Sequence, residues 1–150
     1  MTPEAPVRAK LMLVDDEKNI RRTLRMVLSD EKLSVTESGS AEEAVRMMQE
    51  DPADVILLDI NRPGMDGIEM LGKVRKDWPG TEVIMISGHA SIQAAVRATQ
   101  LGAYDFLEKP LERDRVVLSV NNCLEKVRLT RQVQALSSQV SGHYEMVGGS

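Results

Sequence analysis

The chain has one cysteine, Cys123, among its 150 residues, so no disulfide can close within it. That suits a reducing compartment, and the expected location is the cytoplasm. It also lacks an excess of basic charge. Nineteen Lys and Arg stand against 23 Asp and Glu, a formal net charge of −4. With no basic footprint, this segment is not expected to bind DNA directly. No apolar run approaches the length of a membrane span. Residues 1–10 lack the apolar stretch of a secretory signal, and 1–9 read as a disordered lead-in. Glycine and proline are missing from residues 113–140, which removes the usual helix breakers from that stretch. What is present is ordinary for a soluble domain: 42% hydrophobic and 28% charged residues. The length allows one domain with a real core plus an appendage.

A strand-then-helix pattern repeats along the chain. Apolar runs predict strands over residues 10–14, 33–37, 55–58, 82–86 and 103–107. Helical faces lie between them: Ile20, Leu24, Val27 and Leu28; then Ala41, Ala44, Val45 and Met48. Ile68, Leu71, Val74 and Trp78 form a third face, and Ile92, Ala95, Val96 and Thr99 a fourth. Ser40 with Glu43, and Asp66 with Glu69, have the spacing of capping boxes, while Pro79-Gly80 and Gly102 punctuate helix ends. Alternating strands and helices argue for a doubly wound α/β fold with a parallel sheet. The first, third and fourth strands are nearly continuous apolar runs, as central strands should be. The second and fifth alternate more, as edges do. That pattern suits the flavodoxin-like order 2-1-3-4-5, with its switch point between strands one and three. Residues 113–140 then read as one extended C-terminal helix. Its seams, Val117-Val120-Leu124-Val127 and Leu129-Val133-Leu136-Val140, have coiled-coil spacing but differ in phase.

Charged groups sit just past three of these strands: Asp15-Asp16, Asp59, and Lys109-Pro110. Singly, Asp15 and Asp16 would serve as caps of the first helix and Asp59 as a loop cap. Jointly, they converge on the crevice where open α/β sheets place their chemistry. Carboxylates about 4 Å apart repel by roughly 1–4 kcal/mol per pair, depending on solvent access. Mg²⁺ and Lys109 would neutralise the three acids, and Mg²⁺ is commonly held by one or two carboxylates plus waters and phosphate oxygens. Asp59 can act as a nucleophile towards a phosphoryl group, and Ser87, at the end of the fourth strand, could hydrogen-bond it.

The combined pattern resembles the response-regulator receiver domain of bacterial two-component signalling. The matching stretches are Val14-Asp15-Asp16-Glu17, Leu58-Asp59-Ile60, Pro63-Gly64-Met65-Asp66-Gly67, Ser87-Gly88-His89-Ala90, and Gly102-Ala103-Tyr104-Asp105-Phe106-Leu107-Glu108-Lys109-Pro110. The resemblance implies a CheY-like fold with Asp59 as phosphoacceptor. It implies that Asp16, Asp59 and the Asn61 backbone carbonyl ligate Mg²⁺, with Asp15 acting largely through water. Ser87 and Lys109 would take the phosphoryl oxygens, with Lys109-Pro110 cis. Ser87 and Phe106 would form the switch, and His89 and Arg62 would modulate it. Arg62 stands where the family usually has Met or Leu, and Phe106 replaces the commoner Tyr, so no switch hydroxyl is available. The Ser-Gly-His and Gly-Ala-Tyr-Asp-Phe stretches look most like NtrC-type, sigma-54-dependent activators. That implies a receiver over 10–126, a coiled-coil linker helix over 127–140, and a linker over 141–150 towards an AAA+ ATPase and a DNA-binding domain outside this chain. A sensor histidine kinase and a homodimer, formed by the fourth-helix to fifth-helix face and the linker helix, are the implied partners; no membrane is. The chain is then expected to be a signalling switch and not an enzyme. A Mg²⁺-dependent phosphatase would need a separate general acid and a substrate cap, which the sequence does not supply. A degenerate receiver acting only in dimerisation would not need the intact acids and Lys109.

Overall fold

The structure, a computed structural model, describes residues 9–29, 33–60, 67–88 and 92–148, with side chains as far as Gln134. Five strands, β1 (Ala9–Val14), β2 (Leu33–Ser38), β3 (Val55–Asp59), β4 (Glu82–Ser87) and β5 (Asp105–Glu108), form one parallel sheet in the order β2-β1-β3-β4-β5. Five helices connect and flank them: α1 (Lys18–Val27), α2 (Ala41–Glu50), α3 (Gly67–Asp77), α4 (Ile92–Gln100) and α5 (Arg113–Gly148). β3 and β4 are buried throughout, while β2 and β5 are only half-buried, as the edge assignment expected.

The two-residue period of the strands divides the core into two layers. Met12, Val14, Ile56, Leu58, Val83 and Met85 face α2, α3 and α4. Leu11, Leu13, Val55, Leu57, Ile84 and Ile86 face α1 and α5. The acids expected at the carboxyl ends of β1 and β3 therefore fall side by side, because Val14 is in register with Leu58. Ser40 caps α2, its side chain accepting from Glu43 N at 3.1 Å, whereas Asp66 lies outside the described residues. Gly102 ends the turn after α4 at φ +99°, a conformation that favours glycine.

Two expectations need correction. The spacing predicts a fourth helical face of Ile92, Ala95, Val96 and Thr99, but Ile92 is 85% and Val96 48% exposed. The helix instead packs through Ala94 and the fully buried Ala98, one turn apart. Small side chains let α4 approach the sheet closely, and that close approach leaves its larger apolar residues outside. The C-terminal helix also runs beyond residue 140, to Gly148. Gly142 alone costs only about 1 kcal/mol in a helix interior, too little to break it. At about 1.5 Å per residue, the 36 residues of α5 extend roughly 54 Å.

α5 is core for its first half only. Val116, Val120, Cys123 and Val127 are buried, while Leu129 and Val133 are exposed. Burial pushes the Cys123 thiol up to about 12, so it is a packing residue rather than a redox group. Lys126 pairs with the buried Glu82 at 3.2 Å, and Arg131 pairs with Asp54, tying α5 to the amino end of the sheet. Among the described residues no helix is long and apolar enough to cross a membrane.

Candidate functional site

β1 ends at Val14, and the chain turns through Asp15 and Asp16 into α1. Asp15 is buried. Its Oδ1 accepts from the Glu17 N–H at 2.8 Å. The first helical turn begins after Glu17, which makes no side-chain cap bond. The acids therefore shape the turn before the helix; they do not cap it in the ordinary way. Arg21, one turn on, donates from Nη1 to the Asp15 carbonyl at 2.6 Å and from Nε to Glu37 Oε1 at 3.2 Å. It braces the acidic turn against the end of β2.

Asp59, the last residue of β3, is buried beside this turn. Lys109 follows β5 and reaches across, its backbone N–H bonded to the Ser87 carbonyl at 2.8 Å. The Lys109-Pro110 bond is cis. Lys109 Nζ lies 3.3 Å from Asp15 Oδ2, 3.1 Å from Glu17 Oε1 and 3.4 Å from Asp59 Oδ2. One cation thus holds three carboxylates from the ends of β1 and β3. Burial alone would lower Lys109. The hydrogen bond to Glu17, and the charges of Asp15 and Asp59, outweigh it and hold the ammonium above its ordinary value. Burial raises the Asp15 carboxyl, and Asp59 adds to that rise against the opposing Glu17 N–H and Lys109.

Carboxylate oxygens of Asp15, Asp16, Glu17 and Asp59 all lie within 4.8 Å of one another. Such a set of hard oxygen donors fits a small divalent cation. Among the described residues the buried Asp15 Oδ2 has no well-formed hydrogen bond, only the Lys109 ammonium at 3.3 Å, and this also favours a cation in the crevice. Asp16 is exposed at its mouth.

The expected site residues fall in four places. Asp15, Asp16, Asp59 and Lys109 are brought together. Ser87 is fully buried at the end of β4, next to β3 in the sheet. Phe106 lies one strand further out, paired with Met85 and packed against the core, outside the acidic cluster. Asn61, Arg62 and His89 lie outside the described residues. Two participants were not foreseen. Glu17 belongs to the Val14-Asp15-Asp16-Glu17 stretch, but the sequence assigns it no role. Arg21 carries no signal in the sequence, and only the fold shows that it faces back onto the turn.

The fold is a doubly wound parallel α/β sheet with acids and a lysine gathered at the switch point between β1 and β3. The chain belongs to the response regulator receiver domain family, which it matches over residues 11–121. It is similar to the nitrogen assimilation regulatory protein NtrX of Azorhizobium caulinodans, at 38% identity over 93% of this chain and 31% of that protein. Among solved structures it resembles NtrX from Brucella abortus in complex with ADP. There the TM-score is 0.80 and the identity 37%, over 87% of this chain and 30% of that one. It also resembles the beryllofluoride-activated NtrC4 receiver domain dimer, with TM-score 0.75 and 33% identity over 79% of this chain and 98% of that one. The chain spans about a third of the length of the curated NtrX relative.

Proposed function

We propose that this chain is a phosphorylation-controlled switch in which Asp59 accepts a phosphoryl group from the phosphohistidine of a sensor kinase. The observation that carries this reading is the Lys109 ammonium within 3.4 Å of Asp59, Asp15 and Glu17 at the sheet's switch point. An Asp59 carboxylate oxygen attacks phosphorus, the bond from phosphorus to the imidazole nitrogen breaks, and the imidazole, already protonated on its other nitrogen, leaves as the neutral ring. Lys109 and Ser87 take equatorial phosphoryl oxygens, which spreads the charge that develops in transfer. Asp16, Asp59 and Asn61, with Asp15 beside them, would hold Mg²⁺, which would supply the remaining positive charge. His89 and Arg62 flank the site in sequence and modulate the rates. Treatment with acetyl phosphate and Mg²⁺ will add one phosphoryl group to the intact mass of the chain. The same treatment in excess chelator will add none. Equal labelling with and without Mg²⁺ would contradict the mechanism.

The new charge is read out through Ser87 and Phe106 at the surface formed by α4, β5 and α5. A phosphoryl group brings roughly −1.5 to −2 charge and strong acceptors, enough to bias a two-state element. The exposed Ile92 and Val96 of α4 give that surface an apolar patch. In this reading the chain acts in the cytoplasm as the input module of an NtrC-type, sigma-54-dependent activator. α5 then leads to an AAA+ ATPase domain and a DNA-binding domain.

The same reading makes α5 a dimer element. Leu129 and Val133 are one helical turn apart and exposed, next to Asn122, Lys126 and Thr130 along a shallow groove of about 440 Å³. Two such helices side by side would bury both seams symmetrically. The chain is expected to sediment as a dimer at tens of micromolar. The double variant Leu129→Glu, Val133→Glu should sediment as a monomer with its fold intact, because neither residue contributes to the receiver core. Unchanged sedimentation would place the dimer contact elsewhere.

A further inference from the structure

The chemistry proposed above gives Glu17 no role, yet this residue holds the catalytic lysine. Its Oε1 accepts from Lys109 Nζ at 3.1 Å, the shortest of that ammonium's three carboxylate contacts. Its side chain is 59% exposed while those of Asp15 and Asp59 are buried, so Glu17 stands on the solvent side of the crevice. With Asp16 it forms the exposed side of the described cluster, the side open to a phosphodonor. Glu17 also changes the charge balance. Among the described residues, four clustered carboxylates set against Lys109 and a divalent cation leave one negative charge in excess.

We propose that Glu17 is a positioning residue that tunes the site against anionic phosphodonors, by retaining Lys109 and by repelling negative charge at the mouth. This rests on the reading of Asp59 as phosphoacceptor and deepens it. Before transfer, Lys109 is shared among Asp15, Glu17 and Asp59. During transfer it must give up contacts to carboxylates and take a phosphoryl oxygen. Glu17 opposes that exchange twice, by stabilising the starting position of the ammonium and by raising the energy of a donor bearing several negative charges. A kinase that presents its phosphoryl group from a docked surface offsets this repulsion with contacts elsewhere. A small free donor cannot. Glu17 therefore acts as a filter that favours the docked partner over free acyl phosphates.

The isosteric variant Glu17→Gln separates charge from shape. It removes no helix cap, since Glu17 makes no side-chain cap bond, and it leaves Lys109 with Asp15 and Asp59. Two donors read the charge. Acetyl phosphate is a dianion near neutral pH, and its P–O bond breaks to release acetate as the Asp59 oxygen–phosphorus bond forms. Phosphoramidate is a monoanion, and its P–N bond breaks to release ammonia. With Mg²⁺ saturating for each protein, Glu17→Gln should react faster with acetyl phosphate by about three- to tenfold, the size expected of one charge a few ångströms away in a wet site. It should gain less with phosphoramidate, and the difference should shrink as salt screens the mouth. Calorimetry should show weaker Mg²⁺ binding in Glu17→Gln, by about twofold or more, from the same lost charge. Glu50→Gln serves as the control, being an exposed acid at the end of α2 that leads to the amino end of β3, away from the site.

Wild-type rates with both donors in Glu17→Gln, or equal gains with both, would overturn the filter. If neither donor labels the wild-type chain, the phosphoacceptor reading itself fails. Mg²⁺ affinity then judges Glu17 alone, and an unchanged dissociation constant overturns its role.

Discussion

Asp16→Ala will weaken Mg²⁺ binding by at least about tenfold, the range seen when a metal site loses even a supporting carboxylate. Asp15→Ala will weaken it less. The two acids are adjacent but differently employed. Asp15 is buried, with one oxygen on the Glu17 N–H and the other 3.3 Å from Lys109. Asp16 is exposed at the mouth and within reach of the other three carboxylates. In the proposed site, loss of Asp16 removes a ligand, and among the described residues no hydrogen bond that holds the turn runs through its side chain. Loss of Asp15 leaves the Glu17 N–H without its acceptor, so it should show more strongly in fold stability. Calorimetric Mg²⁺ titration of both variants, beside thermal unfolding in chelator, separates the two effects. The pH dependence has a definite sign. Burial raises Asp15 in the folded chain. Its contribution to metal-free stability is thus present at low pH and is lost as pH rises through the raised value. Mg²⁺ should offset that loss. An Asp16→Ala protein with wild-type affinity would remove Asp16 from the site.

Gly67→Ala will have the largest effect on stability of any single methyl added to this chain's described glycines. A Cβ there would lie 2.7 Å from the Ile60 Cα and 2.9 Å from the Asp59 carbonyl oxygen. Both are backbone atoms at the end of β3, so no side-chain rotation relieves the contact. Either α3 moves away or the strand end carrying Asp59 shifts. Overpacking of this kind costs about 1–3 kcal/mol, and the displaced Asp59 should weaken Mg²⁺ binding as well. Gly72, inside α3, has no atom within 4 Å of the position of an added Cβ. Gly72→Ala should instead stabilise by about 0.5–1 kcal/mol, the helix-propensity gain. Denaturant unfolding of both variants tests the contrast, and equal effects of the same sign would contradict the packing at Gly67.

Much of this fold was legible because burial writes itself into apolar runs. Leu11–Val14, Val55–Leu58 and the β4 stretch pointed to a parallel sheet and to its central strands. The positions of Asp15, Asp16, Asp59 and Lys109 just past strand ends are enough to bring them to one end of such a sheet. α4 was harder, since Ala94, Ala95, Ala98, Ile92 and Val96 are all apolar and spacing alone does not choose between a large and a small face. The sheet chooses the small one. The end of α5 was also hidden: residues 141–150 read as a linker, yet a single glycine at 142 does not outweigh the helix around it. At the site, residue types revealed the acids and the lysine but not the roles of Glu17 and Arg21. Each acts through a partner distant in sequence, Lys109 and Glu37, and that pairing exists only once β1, β2 and β5 are assembled.

The most direct test of the central claim is chemical localisation of the phosphoryl group. After acetyl phosphate and Mg²⁺, borohydride reduces an aspartyl phosphate to homoserine, which marks the acceptor position permanently. Digestion and mass spectrometry should then find homoserine at position 59 alone, and none in the Asp59→Asn protein. Homoserine at position 15 or 16, or a phosphate that survives on a hydroxyl such as that of Ser87, would contradict the account.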